Sequence, residues 1–167
     1  MAALQWSQAL VLDAPVMDRT HEEFVALLAE VEDSRDDQLL AGWSALIDHT
    51  DAHFAREDQW MRATGFSSAN CHSVQHKVVL QAMRDGLAAG RRGDLPLVRE
   101  MARQLGAWFV HHAQTMDAGL ALHLRSMGFD METGDIGRPH ALPTQPLQGC
   151  GSAACSPTDQ HVVATAA

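Results

Sequence analysis

Seven polar side chains sit where an all-helical chain should be apolar. His21, His53, Glu57, His72, His76, His112 and Asp117 fall on helical stripes otherwise built from residues such as Met17, Phe24, Leu28, Val31, Trp43, Leu46, Trp60, Val79, Met83, Leu105 and Trp108. A stripe with steps of three and four is the face a helix turns toward its neighbours. The seven groups would therefore meet inside a core. A buried imidazole or carboxylate without a partner is costly, and seven together call for one shared explanation. A pair of bound metal ions supplies it.

The stripes define four helices. The first spans about 18–33, with Asp18 as its N-cap and the stripe Met17, His21, Phe24, Leu28 and Val31. The second runs over about 37–63 through Trp43, Leu46, Thr50, His53, Glu57 and Trp60, and stops at Gly65. The third covers about 70–90 through His72, His76, Val79, Met83 and Leu87, and ends in Gly90-Arg91-Arg92-Gly93. Asp94 caps the fourth, Pro96 sits in its first turn, and its stripe is Met101, Leu105, Trp108, His112, Thr115, Gly119 and Leu122, ending near Gly128. Short polar links join them. The expected fold is all-α, an antiparallel up-down four-helix bundle over residues 16–130, with an N-terminal arm (1–15) carrying Trp6. Residues 131–167 gather Pro, Gly, Ser, Thr and Gln without apolar periodicity, and read as a flexible tail. His140 and His161 lie in it and take no part in the expected site.

Bulk properties remove several functions. Net charge is −9 and Lys77 is the single lysine, which excludes nucleic acid as a main partner. No apolar run reaches the roughly 18 residues of a membrane span, and MAALQWSQAL lacks the form of a secretory signal. The chain is therefore expected in the cytoplasm. Cys71, Cys150 and Cys155 make no disulfide framework. Cys71 reads as an inert, half-buried thiol, while the tail pair offers a reversible disulfide or a metal clip.

Two of the stripes carry local motifs. His53 and Glu57, four apart, share one face of a helix, as do His72 and His76. Each pair alone has an ordinary explanation; on the same seam as lone His21 and His112 they reinforce one another. Five imidazoles and two carboxylates exceed the four ligands of one tetrahedral zinc and suit two ions bridged by carboxylates. The absence of a thiolate argues against an iron–sulfur site, and iron is the best redox-active candidate. Asp117 is the awkward member. It follows His112 by five residues, about 140° round a regular helix, so either the two straddle the ions or the helix carries a local bulge. His111 competes with His112 by adjacency but falls off the stripe, and reads as an edge residue. His49, one turn before His53, is a candidate to hydrogen-bond a ligand; His123 reads as a partly exposed residue.

Taken in order, Trp6, Met17-Asp18-Arg19-Thr20-His21, His53-Phe54-x-x-Glu57, His72-x-x-x-His76 and Trp108-x-x-x-His112-x-x-x-x-Asp117 resemble the hemerythrin family, in particular its single-domain bacterial members, over residues 6–128. The resemblance implies two non-haem irons in a four-helix bundle. His72, His76 and His112 would hold one iron, and His21 and His53 the other, which keeps an open position. Glu57 and Asp117 would bridge them together with an oxo or hydroxo group. It implies reversible O2 binding, for carriage, storage or sensing, rather than catalysis, and it accounts for the five-residue spacing to Asp117. Two other functions compete. A di-iron oxidase, or a peroxide- or NO-reactive protein, would be expected to carry a more carboxylate-rich site with Glu-x-x-His motifs, which this chain lacks. A purely structural bundle would bind no metal and would leave the seven residues as coincidence.

Overall fold

The computed structural model describes residues 4–66, 71–145 and 147. Among them the chain is helical, with two isolated bridges, Phe66 to Leu147 and Phe129 to Ile136, and no strand. The main helices are α1 (Pro15–Asp33), α2 (Asp36–Ala63), α3 (Cys71–Arg91) and α4 (Leu95–His112). A π-helical segment, Ala113–Asp117, carries α4 without a break into α5 (Ala118–Ser126). Helix α1 packs on α2 and α4, and α3 on α2 and α4, closing a ring.

The helix ends follow from local chemistry. Asp94 caps α4 by accepting the Leu97 N–H at 3.2 Å, and Pro96 sits in the first turn, where its missing N–H is no loss. Gly65, just past the end of α2, takes φ 69°, a left-handed conformation that glycine adopts without steric cost. The expected start of α1 needs correction. The helix begins at Pro15, and Asp18 lies inside its first turn rather than capping it. The Asp18 carboxylate instead reaches back to the arm, accepting the Leu12 N–H at 2.8 Å and the Ala14 N–H at 3.0 Å. Proline at the first position presets the helical φ, which moves the boundary upstream.

The described part of the arm is held against the bundle. Arg125 donates to the carbonyl of Leu12, Gln114 to that of Ala9, and Leu10 is buried. Past α5 the chain stays close to the bundle. Asp130 accepts the Glu132 and Thr133 N–H groups in a tight turn, Pro139–Ala141 form a 3-10 turn, and Met131, Ile136 and Leu142 pack on the end of the core. Composition alone does not anticipate this for residues 131–145, because three spaced apolar side chains are too few to form a periodic pattern. Cys150, Cys155 and His161 lie outside the described residues.

The core has two apolar clusters. One gathers Leu10, Phe24, Leu28, Val31, Trp43, Leu46, Met83, Val98, Leu105 and Phe109; the other Met17, Trp60, Met61, Phe66, Leu120, Leu124, Met127 and Phe129. Close packing near the end of α3 depends on small residues. A Cβ at Gly90 would lie 2.5 Å from a Leu40 methyl carbon and 2.9 Å from one of Val98, which is fully buried. Overpacking costs about 1–3 kcal/mol, offset by about 1 kcal/mol of helix propensity. Gly90→Ala should therefore lose about 1 kcal/mol in urea denaturation. Gly86→Ala should cost less, because the thioether of Met101 that it meets is the mobile end of a half-buried side chain.

Candidate metal centre

Between the two clusters lies a polar layer. His21, His53, Glu57, His72, His76, His112 and Asp117 are all buried, none more than 3% exposed. Helix α1 brings His21, α2 brings His53 and Glu57, α3 brings His72 and His76, and α4 with its π segment brings His112 and Asp117. All seven residues singled out in the sequence are brought together. One ligand atom from each of Glu57, His72, His76, His112 and Asp117 lies within 4.8 Å of the others, and the same holds for His21, His53 and Glu57. Glu57 belongs to both groups. Its Oε1 is 3.1 Å from His53 Nε2, and its Oε2 is 3.5 Å from His72 Nε2 and 3.4 Å from His76 Nε2. Asp117 spans the layer in the same way, with Oδ2 3.2 Å from His21 Nε2 and Oδ1 3.0 Å from His72 Nε2 and 3.2 Å from His112 Nε2.

The π segment answers the question of Asp117. Its extra residue lets the five-residue step from His112 return to the same face. It also shifts everything downstream. From His112 to the end of α5 the buried positions are Ala113, Met116, Asp117, Leu120, Ala121 and Leu124, not Thr115, Gly119 and Leu122 as a regular helix predicts, and Leu122 is 65% exposed.

His53 Nε2 and Glu57 Oε1 are hydrogen-bonded at 3.1 Å, but most of the short distances in this layer do not amount to hydrogen bonds. Among the described residues, the eight buried side-chain nitrogen and oxygen atoms without a hydrogen-bond partner are His21 Nδ1 and Nε2, His53 Nδ1, Glu57 Oε2, His72 Nδ1 and Nε2, and both oxygens of Asp117. All belong to this layer, whereas buried polar atoms are normally paired. Thr50, on the same stripe, is satisfied by the carbonyl of Leu46 at 2.7 Å. His76 Nε2 and His112 Nε2 face each other at 3.2 Å. The far nitrogens of those two rings meet acceptors, Asp58 Oδ1 at 3.3 Å and Gln75 Oε1 at 3.4 Å, so each Nδ1 carries its proton outward. The two Nε2 atoms then present lone pairs to one another, an arrangement that only a shared cation or proton stabilises. The donor set therefore fits metal ions.

Charge points the same way. Burial pushes His72 down, but the carboxylates of Asp117 and Glu57 carry it up to about 10. Burial likewise disfavours charge on His21 and His76, yet Asp117 raises the first, and Asp58 with Glu57 raises the second. At His53 burial wins and the ring is held below the usual value. Burial pushes Glu57 and Asp117 up, and Asp117 also repels Glu57, but the surrounding imidazoles hold both well below the usual carboxylate range. The metal-free layer thus pairs anionic carboxylates with protonated rings, and entering cations would displace those protons.

Comparison with known proteins decides the family. Residues 13–122 match the family described as the Hemerythrin HHE cation binding domain. This chain belongs to the hemerythrin family. It is 35% identical over 130 residues to a bacteriohemerythrin of Ralstonia nicotianae, covering 78% of this chain and 95% of that protein. A bacteriohemerythrin of Pseudomonas aeruginosa is 24% identical over 123 residues, 71% of this chain and 80% of the relative. One of Stenotrophomonas maltophilia is 22% identical over 142 residues, 80% and 92% respectively. No solved structure matches. No helix among the described residues is long and apolar enough to cross a membrane.

Other histidines separate from the hemerythrin layer. His111 is exposed, as expected of an edge residue. His49 lies with its ring 6.4 Å from that of His53 but does not hydrogen-bond to it. Its Nε2 is bonded to the carbonyl of Thr20 at 3.2 Å, so it supports the backbone beside His21 rather than a ring. His123 is half-buried on the carbonyl of Thr64, and its pKa is lowered by burial. Cys71 opens α3 half-buried, and burial pushes its thiol up. The sequence reading placed Phe54 in a motif without giving it a contact, and missed three other neighbours of the layer. Phe54 lies flat on His76 at 3.9 Å and 5°, Phe109 meets His21 edge-on at 5.2 Å, and Asp58 and Gln75 hold rings as described. Phe109, three residues before His112, had a detectable signal in its spacing. Asp58 and Gln75 had none, being polar residues off the stripe.

Proposed function

We propose that this chain is a non-haem di-iron protein that binds O2 reversibly, for carriage, storage or sensing. The observation that carries it is the layer of buried donor atoms without hydrogen-bond partners, in a chain of the hemerythrin family. In this reading His72, His76 and His112 hold one ion and His21 and His53 the other, while Glu57 and Asp117 bridge the two, joined by an oxo or hydroxo group. Two ferrous ions held there would supply reversible O2 binding. The chain's own part is to hold the ions and exclude water. Phe24 stacks on Phe109 at 4.4 Å, and Phe109 covers His21, so the two-imidazole side faces an apolar wall. Such a wall withholds the protons that would make binding irreversible.

The reading takes the bundle as antiparallel up-down. Three sets of contacts support it: His21 with His53 and Val31 with Gly42, Asp58 with His76 and Trp43 with Met83, and His76 with His112 and Gly90 with Val98. In each, rising numbers on one helix meet falling numbers on the next.

Metal analysis with visible spectroscopy tests the function. The reduced protein should hold about two irons per chain and gain a visible band on exposure to O2 that is lost on deoxygenation. Full iron loading without any spectral response to O2 would refute it. Sustained peroxide turnover with a reductant would favour an enzyme instead.

A further inference from the structure

The five imidazoles differ in what grips their far side. His76 Nδ1–H donates to Asp58 and His112 Nδ1–H to Gln75. His21 Nδ1 and His53 Nδ1 have no hydrogen-bond partner. Two of the three rings on one side are therefore tethered, and neither ring on the other. The same two rings are clamped by aromatic faces, Phe54 on His76 and Trp108 on His112, the latter at 4.5 Å and 26°. A tether on Nδ1 fixes the tautomer and the ring plane before a cation arrives, and a carboxylate tether makes the ring a stronger donor. An untethered ring must lose rotational freedom when it binds.

Asp58 is placed to do this without disturbing the core. Its side chain is 20% exposed. It lines a water-facing cleft of about 360 Å³ between α2 and α3, together with Asp51, Lys77, Gln81 and Arg84. Arg84 is engaged by Asp51 at 2.7 Å, while Asp58 turns its carboxylate inward to His76.

We propose that Asp58, supported by Gln75, is a positioning residue that makes the three-imidazole half the tighter one, filled first and emptied last. This rests on the two-metal reading above. The test is an anaerobic titration of the metal-free full-length chain with Co(II), followed by calorimetry. At one equivalent, paramagnetically shifted NMR signals are counted: three imidazoles for one half, two for the other. The wild type should bind in two unequal steps, with the three-imidazole pattern first. Asp58→Ala should weaken the first step about 10–100-fold and leave the second within a few-fold. Asp58→Asn, whose amide oxygen still accepts from Nδ1–H, should recover part of the loss. Gln81→Ala, in the same cleft but touching no imidazole, should titrate as wild type. Asp58→Ala that titrates as wild type overturns the proposal. So does equal weakening of both steps, the mark of a merely structural role, or a wild type whose two-imidazole half fills first. A wild type without tight Co(II) binding refutes the two-metal reading itself, and does so before any variant is compared.

Discussion

Glu57→Gln should cost this protein its tight hold on metal. Glu57 is fully buried and faces His53 with one oxygen and His72 and His76 with the other. It is the one residue common to both groups of candidate ligands. The substitution keeps the volume and removes the charge. Removing one partner from a buried charge network costs about 3–5 kcal/mol, a factor of roughly 10²–10⁴ in affinity. The variant should lose most of its iron on gel filtration in the presence of a weak chelator, under conditions where the wild type keeps about two per chain. Its helical circular dichroism should persist, since the apolar clusters on either side are untouched. A variant that retains both irons with unchanged affinity would show that Glu57 does not bridge.

Trp43→Ala should be the most damaging apolar substitution, and it acts independently of metal. Trp43 is fully buried in the cluster with Leu28, Leu46 and Val98. Its indole N–H donates to the carbonyl of Met83 at 3.0 Å, tying α2 to α3. Truncating a buried tryptophan costs about 3–5 kcal/mol. For a domain with a total stability of about 5–15 kcal/mol, that is a large fraction. Urea denaturation of the metal-free protein measures it. Trp43→Phe separates packing from the hydrogen bond and should lose less. A loss below about 1 kcal/mol for the alanine variant would mean that the packing around Trp43 relaxes into the space.

Much of this architecture is legible in the chain, for identifiable reasons. The stripes of α1 and α2 are uninterrupted, so His21, His53 and Glu57 could be placed by period alone. Asp94 and Pro96 announce the start of α4 because cap and proline chemistry act locally. The register beyond His112 was not legible, because a π segment adds a residue that no regular period contains; spacing could offer only straddling or a bulge. The start of α1 was misread because Asp18, a good cap by type, serves the N–H groups of the arm. Asp58 and Gln75 escaped because their role depends on which ring lies across the helix interface. The packing of residues 131–145 depends on a few contacts with a surface that exists only once the helices have assembled.

The polar layer divides the apolar core in two, so the bundle consists of two packing units sharing the same helices. Units of this kind can open locally, each with its own free energy. What joins them, apart from the continuous helices, is the layer itself, a level at which α1, α2, α3 and the fourth helix all converge through polar atoms. A cation held there would act as a rivet through the whole assembly, so that loading would couple the unfolding of the two units as well as stabilise each.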